Sequence, residues 1–308
     1  MSKHIKNICT IIVTFQPDIG QLKRLLVTIM PQVAGIVVVD NGSDQAVLDS
    51  VSCSNVTLLP LGENLGVAAG FNRGIDWAKA HGFEAVLLLD QDSLPAPDMM
   101  ARLAAAHERL IAQGHPVAAV GPVARDPGSG REVGFARLGG MRFRYECGAP
   151  EPVQADFLIS SGSLIGLDVL ARVGDMDERL FIDLVDTEWF LRARDKGLLA
   201  FGVGDALLHH GVGEGSAGVQ VGRCRIGSLA YHDPLRHYYI FRNSILLNRR
   251  PYVPRRWVLN NALQLAGMFV YFSLMTAPRL AHFRMMLQGL FDGLKGRNGR
   301  YTGMETIG

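Results

Sequence analysis

Cysteine is scarce in this sequence and poorly placed for disulfide or thiolate-metal chemistry. The four residues, Cys9, Cys53, Cys147 and Cys224, are far apart and form no CxxC or Cys/His ligand spacing. Cys9 falls in an apolar, strand-like run, so the set reads as reduced core or surface thiols. A long uninterrupted apolar stretch is also missing. The nearest approach is WVLNNALQLAGMFVYFSLMTAP (257–278), about 22 residues, which as a helix would measure roughly 30 Å. Asn260, Asn261 and Gln264 interrupt its first half and confine the apolar run to Leu265–Met275. A helix lying at a membrane interface or packed on the body is therefore expected, rather than one that spans a bilayer. The opening MSKHIKNICTIIVTFQPD has a short apolar part and no small-residue cleavage site after it. It reads as a first β-strand rather than a signal peptide, and a cytoplasmic protein is expected. There are no convincing internal repeats.

Net charge is small too, at +2 over 308 residues, but the total conceals a division. Residues 1–222 carry 18 Lys+Arg against 26 Asp+Glu, whereas residues 223–308 carry 13 against 3. A basic tail on an acidic body suits an anionic surface such as phospholipid headgroups or a lipid diphosphate. Nucleic acid is the rival partner, because Tyr231, Tyr238, Tyr239 and Phe241 interleave with arginines and could stack bases. The acidic body and acid-ended strands argue against it, since they would repel phosphate unless a metal intervened. With 48% hydrophobic and 19% charged residues, the chain has the material for a packed α/β body and not for a disordered one.

The first half alternates two signals. Ile8–Phe15, Gly35–Asp40, Val56–Leu61 and Ala85–Asp90 read as short apolar strands, with helical spacing over 19–33 and Gly66–His81 between them. Such a pattern implies a mostly parallel sheet flanked by helices, with ligands beyond the C-terminal strand ends. A helix is expected over Pro97–Gln113 and a strand over Pro116–Val123, then an irregular Gly-rich stretch from Asp126 to about Pro152. Residues 153–166 read as strand plus turn, a helical segment starts at Asp168, and a further helix covers roughly Thr187–Lys196. Gly211–Gly222, with five glycines, reads as a loop. Three units follow: 1–95 as a nucleotide-binding half, 96–222 as an acceptor and catalytic half, and 223–308 as a basic, apolar helical extension.

Several motifs carry chemistry. Asp90-Gln91-Asp92 follows an apolar strand, and an i, i+2 carboxylate pair there can hold Mg²⁺ or Mn²⁺ against a diphosphate. Asp40 ends VVVDNGS (37–43), where a carboxylate can accept from a pyrimidine N–H or a ribose hydroxyl; Asp-Asn-Gly-Ser is also plain turn chemistry. The small residues of GENLGVAAG (62–70) open a helix where phosphate can approach, although the pattern is not GxGxxG. Asp183, Asp186 and Glu188 crowd three acids at a helix start, a clustering that raises the pKa of one member as a general base requires. His209-His210 follow a strand-like segment, and an imidazole there can complete a metal site begun by Asp92.

Taken together, these pieces resemble the inverting, GT-A-fold glycosyltransferases of family 2, and within them the bacterial rhamnosyltransferase-like members. The landmarks are VTFQPD (13–18), VVVDNGS (37–43), ENLGVAAGFNRGI (63–75), LLLDQDS (87–93), SSGSLI (160–165), VGDMDERLFIDLVDTEWFLRARDKG (173–197) and HHGVG (209–213). YYIFRNS (238–244) and the basic tail resemble the C-terminal region of the rhamnosyl subset more loosely. The resemblance implies that Thr14, Gln16 and Asp40 contact base and ribose, and that Asn64, Gly66 and Asn72 shape the diphosphate or ribose pocket. It makes Asp90, Gln91 and Asp92 the metal triplet, with Asp92 and His210 as metal ligands and Asp186 as catalytic base. Asp183, Trp189 and Arg192 fall on the acceptor side. It further implies a divalent cation and transfer of rhamnose from dTDP-rhamnose, or of a hexosamine or galactose from a UDP-sugar. The acceptor would be a saccharide or lipid-linked oligosaccharide in cell-surface polysaccharide or O-antigen synthesis, met at the inner face of the plasma membrane. A catalytically dead scaffold of the same fold is disfavoured by the presence of Asp92, Asp186 and His210.

Overall fold

The computed structural model describes residues 7–51, 55–128, 130, 132–139, 142–146, 151–210, 216–221, 224–230 and 232–303. Strand β1 (Ile8–Thr14) is buried along its whole length, as a run bounded by helices on both faces of a sheet must be. Helix α1 (Ile19–Ile29) follows, capped by Asp18, whose carboxylate accepts from the Gln21 amide at 2.7 Å. It buries Leu22, Leu25, Leu26 and Ile29, one face at helical spacing. Then come β2 (Gly35–Asp40), α2 (Gln45–Val51), β3 (Thr57–Pro60), α3 (Val67–Ala80) and β4 (Ala85–Asp90). β1 pairs in parallel with β2 and β4, and β2 with β3; the register sets Thr14 beside Asp40 and Val13 beside Asp90. The carboxyl ends of these strands thus form one rim.

Beyond it lie β5 (Leu94–Pro95), α4 (Met99–Ala112), β6 (Val117–Arg125), β7 (Glu132–Val133), β8 (Phe135–Gly139), β9 (Arg142–Glu146), β10 (Val153–Ala155), β11 (Leu164–Gly166), α5 (Leu167–Val173), α6 (Val185–Asp195) and β12 (Leu199–His209). The main sheet runs β10-β12-β6-β11-β4-β1-β2-β3, with β5 on β12 and β7 on β6. β11 lies antiparallel between β4 and β6, so the expected mostly parallel sheet reverses direction beside the site.

Two stretches expected to be irregular contain strands. The segment 126–152 holds β7 and the β8–β9 hairpin, and residues 216–221 of the expected loop form β13 (Ser216–Val221), paired with β14 (Cys224–Ala230). Short strands laid on few partners need no long apolar run, so their glycines and charges masked them. The remainder of Gly211–Gly222 (211–215 and 222), with Cys53 and Cys147, lies outside the described residues.

The last part is helical after β14: α7 (Pro234–Asn248), α8 (Arg255–Leu274) and α9 (Arg279–Leu294). These helices share cores with the body. Leu247, Val253 and Trp257 pack with Leu191 of α6, and Tyr238 and Tyr239 pack with Phe181. Helix α8 buries Trp257, Asn260, Asn261, Leu265 and Phe272 and leaves Leu259, Leu263, Val270 and Leu274 exposed. Among the described residues no helix is long and apolar enough to cross a membrane.

Candidate active site

A cavity of about 560 Å³ opens over the strand rim. Thr14, Asn41, Asn64, Gly66, Asp90, Gln91 and Asp92 line one side, with Ser160, Asp183, Asp186, His210 and Arg236 facing them. Segments more than two hundred residues apart in sequence therefore meet at one place.

The metal-binding expectation rests on Asp90, Asp92 and His210, whose candidate ligand atoms all lie within 4.8 Å of one another. His210 stands at the end of β12 with Nδ1 3.3 Å from Asp92 Oδ1 and Nε2 3.8 Å from Asp90 Oδ2. Ser93 Oγ is 3.1 Å from His210 Nδ1 and 2.5 Å from Ser161 Oγ, and Ser161 Oγ accepts from the Asp90 amide at 3.2 Å. Burial pushes the Asp90 carboxyl up, with the Asp92 charge adding and the His210 charge opposing. Burial pushes Asp92 up as well, but the His210 hydrogen bond and charge outweigh it and hold Asp92 below the usual carboxylate range. Burial would lower His210; its bond to Asp92 and the Asp90 charge prevail and raise it. Two carboxylates and an imidazole, each drawn toward a neighbouring opposite charge, are the donor set a hard or borderline divalent cation takes.

Asp186 sits in the first turn of α6. One oxygen accepts from the Thr187 amide at 2.6 Å and the other from the Ser160 amide at 3.3 Å. Burial raises its pKa to about 6, the two amides oppose this, and the Asp90 and Asp183 charges add to it. That is the range in which a carboxylate is both ionised near neutral pH and basic enough to take a proton. The loop before it is strained: Phe181, Asp183 and Leu184 have φ of 65°, 63° and 61°. Side-chain-bearing residues pay of order 1–3 kcal/mol each for such backbone, and it concentrates at functional sites.

Other expected site residues take different positions. Asp40 is buried, and each of its oxygens already accepts twice. Oδ1 takes Thr14 Oγ1 (2.8 Å) and Ser43 Oγ (2.5 Å), and Oδ2 takes the Gly42 (3.0 Å) and Ser43 (2.7 Å) amides. It shapes the turn rather than presenting a free acceptor. Gln16, at φ 45°, is exposed and donates its amide to Ser43 Oγ at 2.8 Å; it is not among the lining residues. Gln91 bridges to the Phe15 backbone at 2.7 and 3.3 Å. Asn64 closes its own turn onto the Gly66 amide at 3.0 Å. Gly66 has φ 92°, and a Cβ there would meet the Phe181 carbonyl oxygen at 2.5 Å, so only glycine fits.

Asn72, Trp189 and Arg192 are not brought to the cavity. Asn72 lies on the buried face of α3 and exchanges hydrogen bonds with the Met176 backbone at 2.9 and 3.0 Å. Trp189 is fully buried and donates to the Gly174 carbonyl at 2.9 Å. Arg192 makes two 2.9 Å bonds to Glu188 and also donates to the Val173 and Asp175 carbonyls. Trp189 and Arg192 stand about one and nearly two turns further along α6 than Asp186, past the turn that borders the cavity.

The sequence reading missed Arg236 of α7, which lines the cavity and pairs with Asp183 at 3.1 Å. It gave Ser93 and Ser161 no role, although both lie within quoted landmarks. No local signal marks Arg236, because its placement depends on how α7 packs.

The chain matches the family described as Glycosyl transferase family 2 over residues 9–171. It is 30% identical over 305 residues to the dTDP-rhamnosyl transferase RfbF of Shigella flexneri, covering 96% of this chain and 99% of that protein. Among solved structures it resembles GalNAc-T7 with UDP, GalNAc and Mn²⁺ at a TM-score of 0.58 and 12% identity. That match covers 94% of this chain but only 56% of the other, so the chain spans just over half of that protein's length. It also resembles S. aureus TarS 1–349 in complex with UDP-GlcNAc, at a TM-score of 0.55 and 12% identity, covering 97% of this chain and 95% of the other. At such identities the structural likeness speaks to the fold, which is GT-A.

Proposed function

The chain belongs to glycosyl transferase family 2, and from that premise we propose that it transfers L-rhamnose from dTDP-L-rhamnose, with inversion, to a hydroxyl of a lipid-linked oligosaccharide. The observation that carries the reading is Asp186, raised to about 6, facing Asp90, Asp92 and His210 across one cavity. The rhamnosyl donor is supported by the Shigella relative, a dTDP-rhamnosyl transferase matched over nearly its whole length.

In this reading Thr14 and Asn41, held by Asp40 and the turn after β2, receive the base and ribose. The Gly66 turn and the start of α3 receive the diphosphate, where a helix N-terminus favours negative charge. Asp92 and His210, with Asp90, would hold a Mg²⁺ or Mn²⁺ ion, which supplies positive charge against the departing diphosphate. Asp186 takes the proton of the acceptor hydroxyl as that oxygen bonds to the anomeric carbon. The anomeric carbon–oxygen bond breaks with its electron pair, the nucleoside diphosphate leaves, and a single displacement inverts the centre. Asp183 and Arg236 border the acceptor side. The chain then divides into 1–95 for donor, 96–222 for acceptor and base, and 223–308 as an extension that is helical from Pro234.

The acceptor class and a peripheral place at the inner face of the plasma membrane are supported by the α8–α9 surface. Leu263, Val270, Leu274, Leu280 and Phe291 are all more than half exposed there, and the region beyond residue 222 is strongly basic. Sedimentation with anionic vesicles should carry the protein down and neutral vesicles should not; failure with both removes the membrane part of the reading.

The decisive experiment is titration of dTDP, UDP and GDP with and without Mn²⁺, on wild type and on Asp186→Asn. A Mn²⁺-dependent preference for dTDP is expected in both proteins, with turnover of dTDP-rhamnose about 10²–10⁴-fold lower in the variant. A preference for UDP would move the donor to a UDP-sugar, and wild-type turnover in the variant would remove Asp186 as base.

A further inference from the structure

Helix α7 grips the loop that presents Asp186, and we propose that Arg242 and Asn243 are positioning residues for transfer, acting through that loop. The proposal rests on the reading of Asp186 as the base.

Asn243 Nδ2 lies 2.9, 2.7 and 3.0 Å from the carbonyl oxygens of Leu180, Ile182 and Asp183. The two N–H groups of one side-chain amide thus serve three carbonyls, one on each side of Phe181 and that of Asp183. Arg242 is fully buried. It donates to the Leu180 carbonyl at 2.9 Å, to the Gly299 carbonyl at 2.5 Å and to Asn243 Oδ1 at 2.9 Å, which fixes the direction of the Asn243 amide. Its guanidinium lies 4.9 Å from the centroid of the Tyr239 ring, and Tyr239 stacks on Phe181 at 5.2 Å. Every hydrogen-bond partner the structure gives this buried cation is an uncharged oxygen. A buried arginine without a carboxylate is costly, and plain helix packing is better met by an apolar side chain.

The loop is held from its other side by the donor half. The Phe181 carbonyl accepts from the Val67 amide at 2.8 Å, where only glycine fits at Gly66. Loop 180–184 is therefore fixed between the start of α3 and helix α7. Without the α7 grip, Phe181, Asp183 and Leu184 are free to leave the left-handed region. The first turn of α6 then swings and takes Asp186 with it, while the ends of β1, β2 and β4 stay in place. Loss of the grip should damage transfer and spare nucleotide binding.

The test is Asn243→Ser, which leaves one short polar group in place of the three-way donor. Release of dTDP from dTDP-rhamnose with membrane-extracted lipid-linked acceptor gives kcat, and calorimetry with dTDP and Mn²⁺ gives Kd. A displacement of about 1 Å costs roughly 10²-fold, so kcat should fall about 10–100-fold while Kd stays within about threefold. Adding Leu184→Gly supplies a residue that holds positive φ unaided, and should return about tenfold of the lost turnover. A structural role without positioning would not give that recovery. Wild-type kcat in Asn243→Ser, or a proportional loss of kcat and dTDP affinity that Leu184→Gly leaves uncorrected, overturns the proposal. Should Asn243→Ser melt without cooperativity, Arg242→Lys carries the same kcat-against-Kd test, expecting lower kcat at unchanged Kd. Asp186→Asn, run alongside, separates the two ideas. If it turns over normally, the base reading fails; if it is inactive while Asn243→Ser is normal, only the positioning role fails.

Discussion

β2 and β4 end alike in sequence, GIVVVD and AVLLLD, yet their terminal acids have different surroundings. Asp40 is 1% exposed and has both oxygens filled by the turn that follows it. Asp90 faces the cavity with a second carboxylate and a histidine beside it, and burial pushes it up rather than neighbours settling it. Both are strand-end carboxylates on the same rim. What separates them is the following residues: Asn41-Gly42-Ser43 fold back to donate two amides and a hydroxyl, whereas Gln91 reaches away to Phe15. A carboxylate given its hydrogen bonds locally builds structure, and one left short of them is available to a ligand.

Substitutions should widen this contrast. The largest effect is expected at the β4 end. Asp92→Ala should weaken Mn²⁺-dependent dTDP binding by about 10²-fold or more and leave the melting temperature near wild type; calorimetry at fixed Mn²⁺ measures it, and unchanged affinity would count against a metal there. Asp40→Ala should show first in stability. It strands two amides and the Thr14 and Ser43 hydroxyls, costing about 3 kcal/mol, which thermal melting should register as roughly 5 °C in a chain this long. The smallest effect is graded. With Asp186 as the proposed base, its carboxylate, raised to about 6, is the active form, and it is lost as pH falls through that value. Below pH 6 kcat should drop about tenfold per unit and above it level off; an acid limb near pH 4 would mean that burial does not set this group.

The contrast also marks what a sequence can disclose. Strands β1 to β4 were legible to within a residue or two, because each is a continuous apolar run, and β1, β2 and β4 are buried almost throughout. The rim followed, and with it the placing of Asp90 and Asp92 at one cavity, which Asp186 joins from α6. The β8–β9 and β13–β14 hairpins were not legible, since they depend on few contacts and tolerate glycine and charge. Asn72, Trp189 and Arg192 were assigned to the pocket through a motif's linear order, which does not say which helix face points where. Arg236 gave no signal at all: it reaches Asp183 across 53 positions of chain, a distance fixed only by packing.

The bonds from Asn243 to residues 180–183 set an order of events during synthesis. The strands that form the donor rim are complete by residue 90, long before α7 emerges. A nascent chain halted before α7 can assemble the nucleotide-facing rim while its base loop lacks the contacts that hold it. Chains made from the N-terminus gain structure in that direction, so on the proposed reading the parts that receive a nucleotide are made before those that steady Asp186. Loss of the final quarter of the protein would remove that grip and also bare Leu191 and Phe181, which share cores with it.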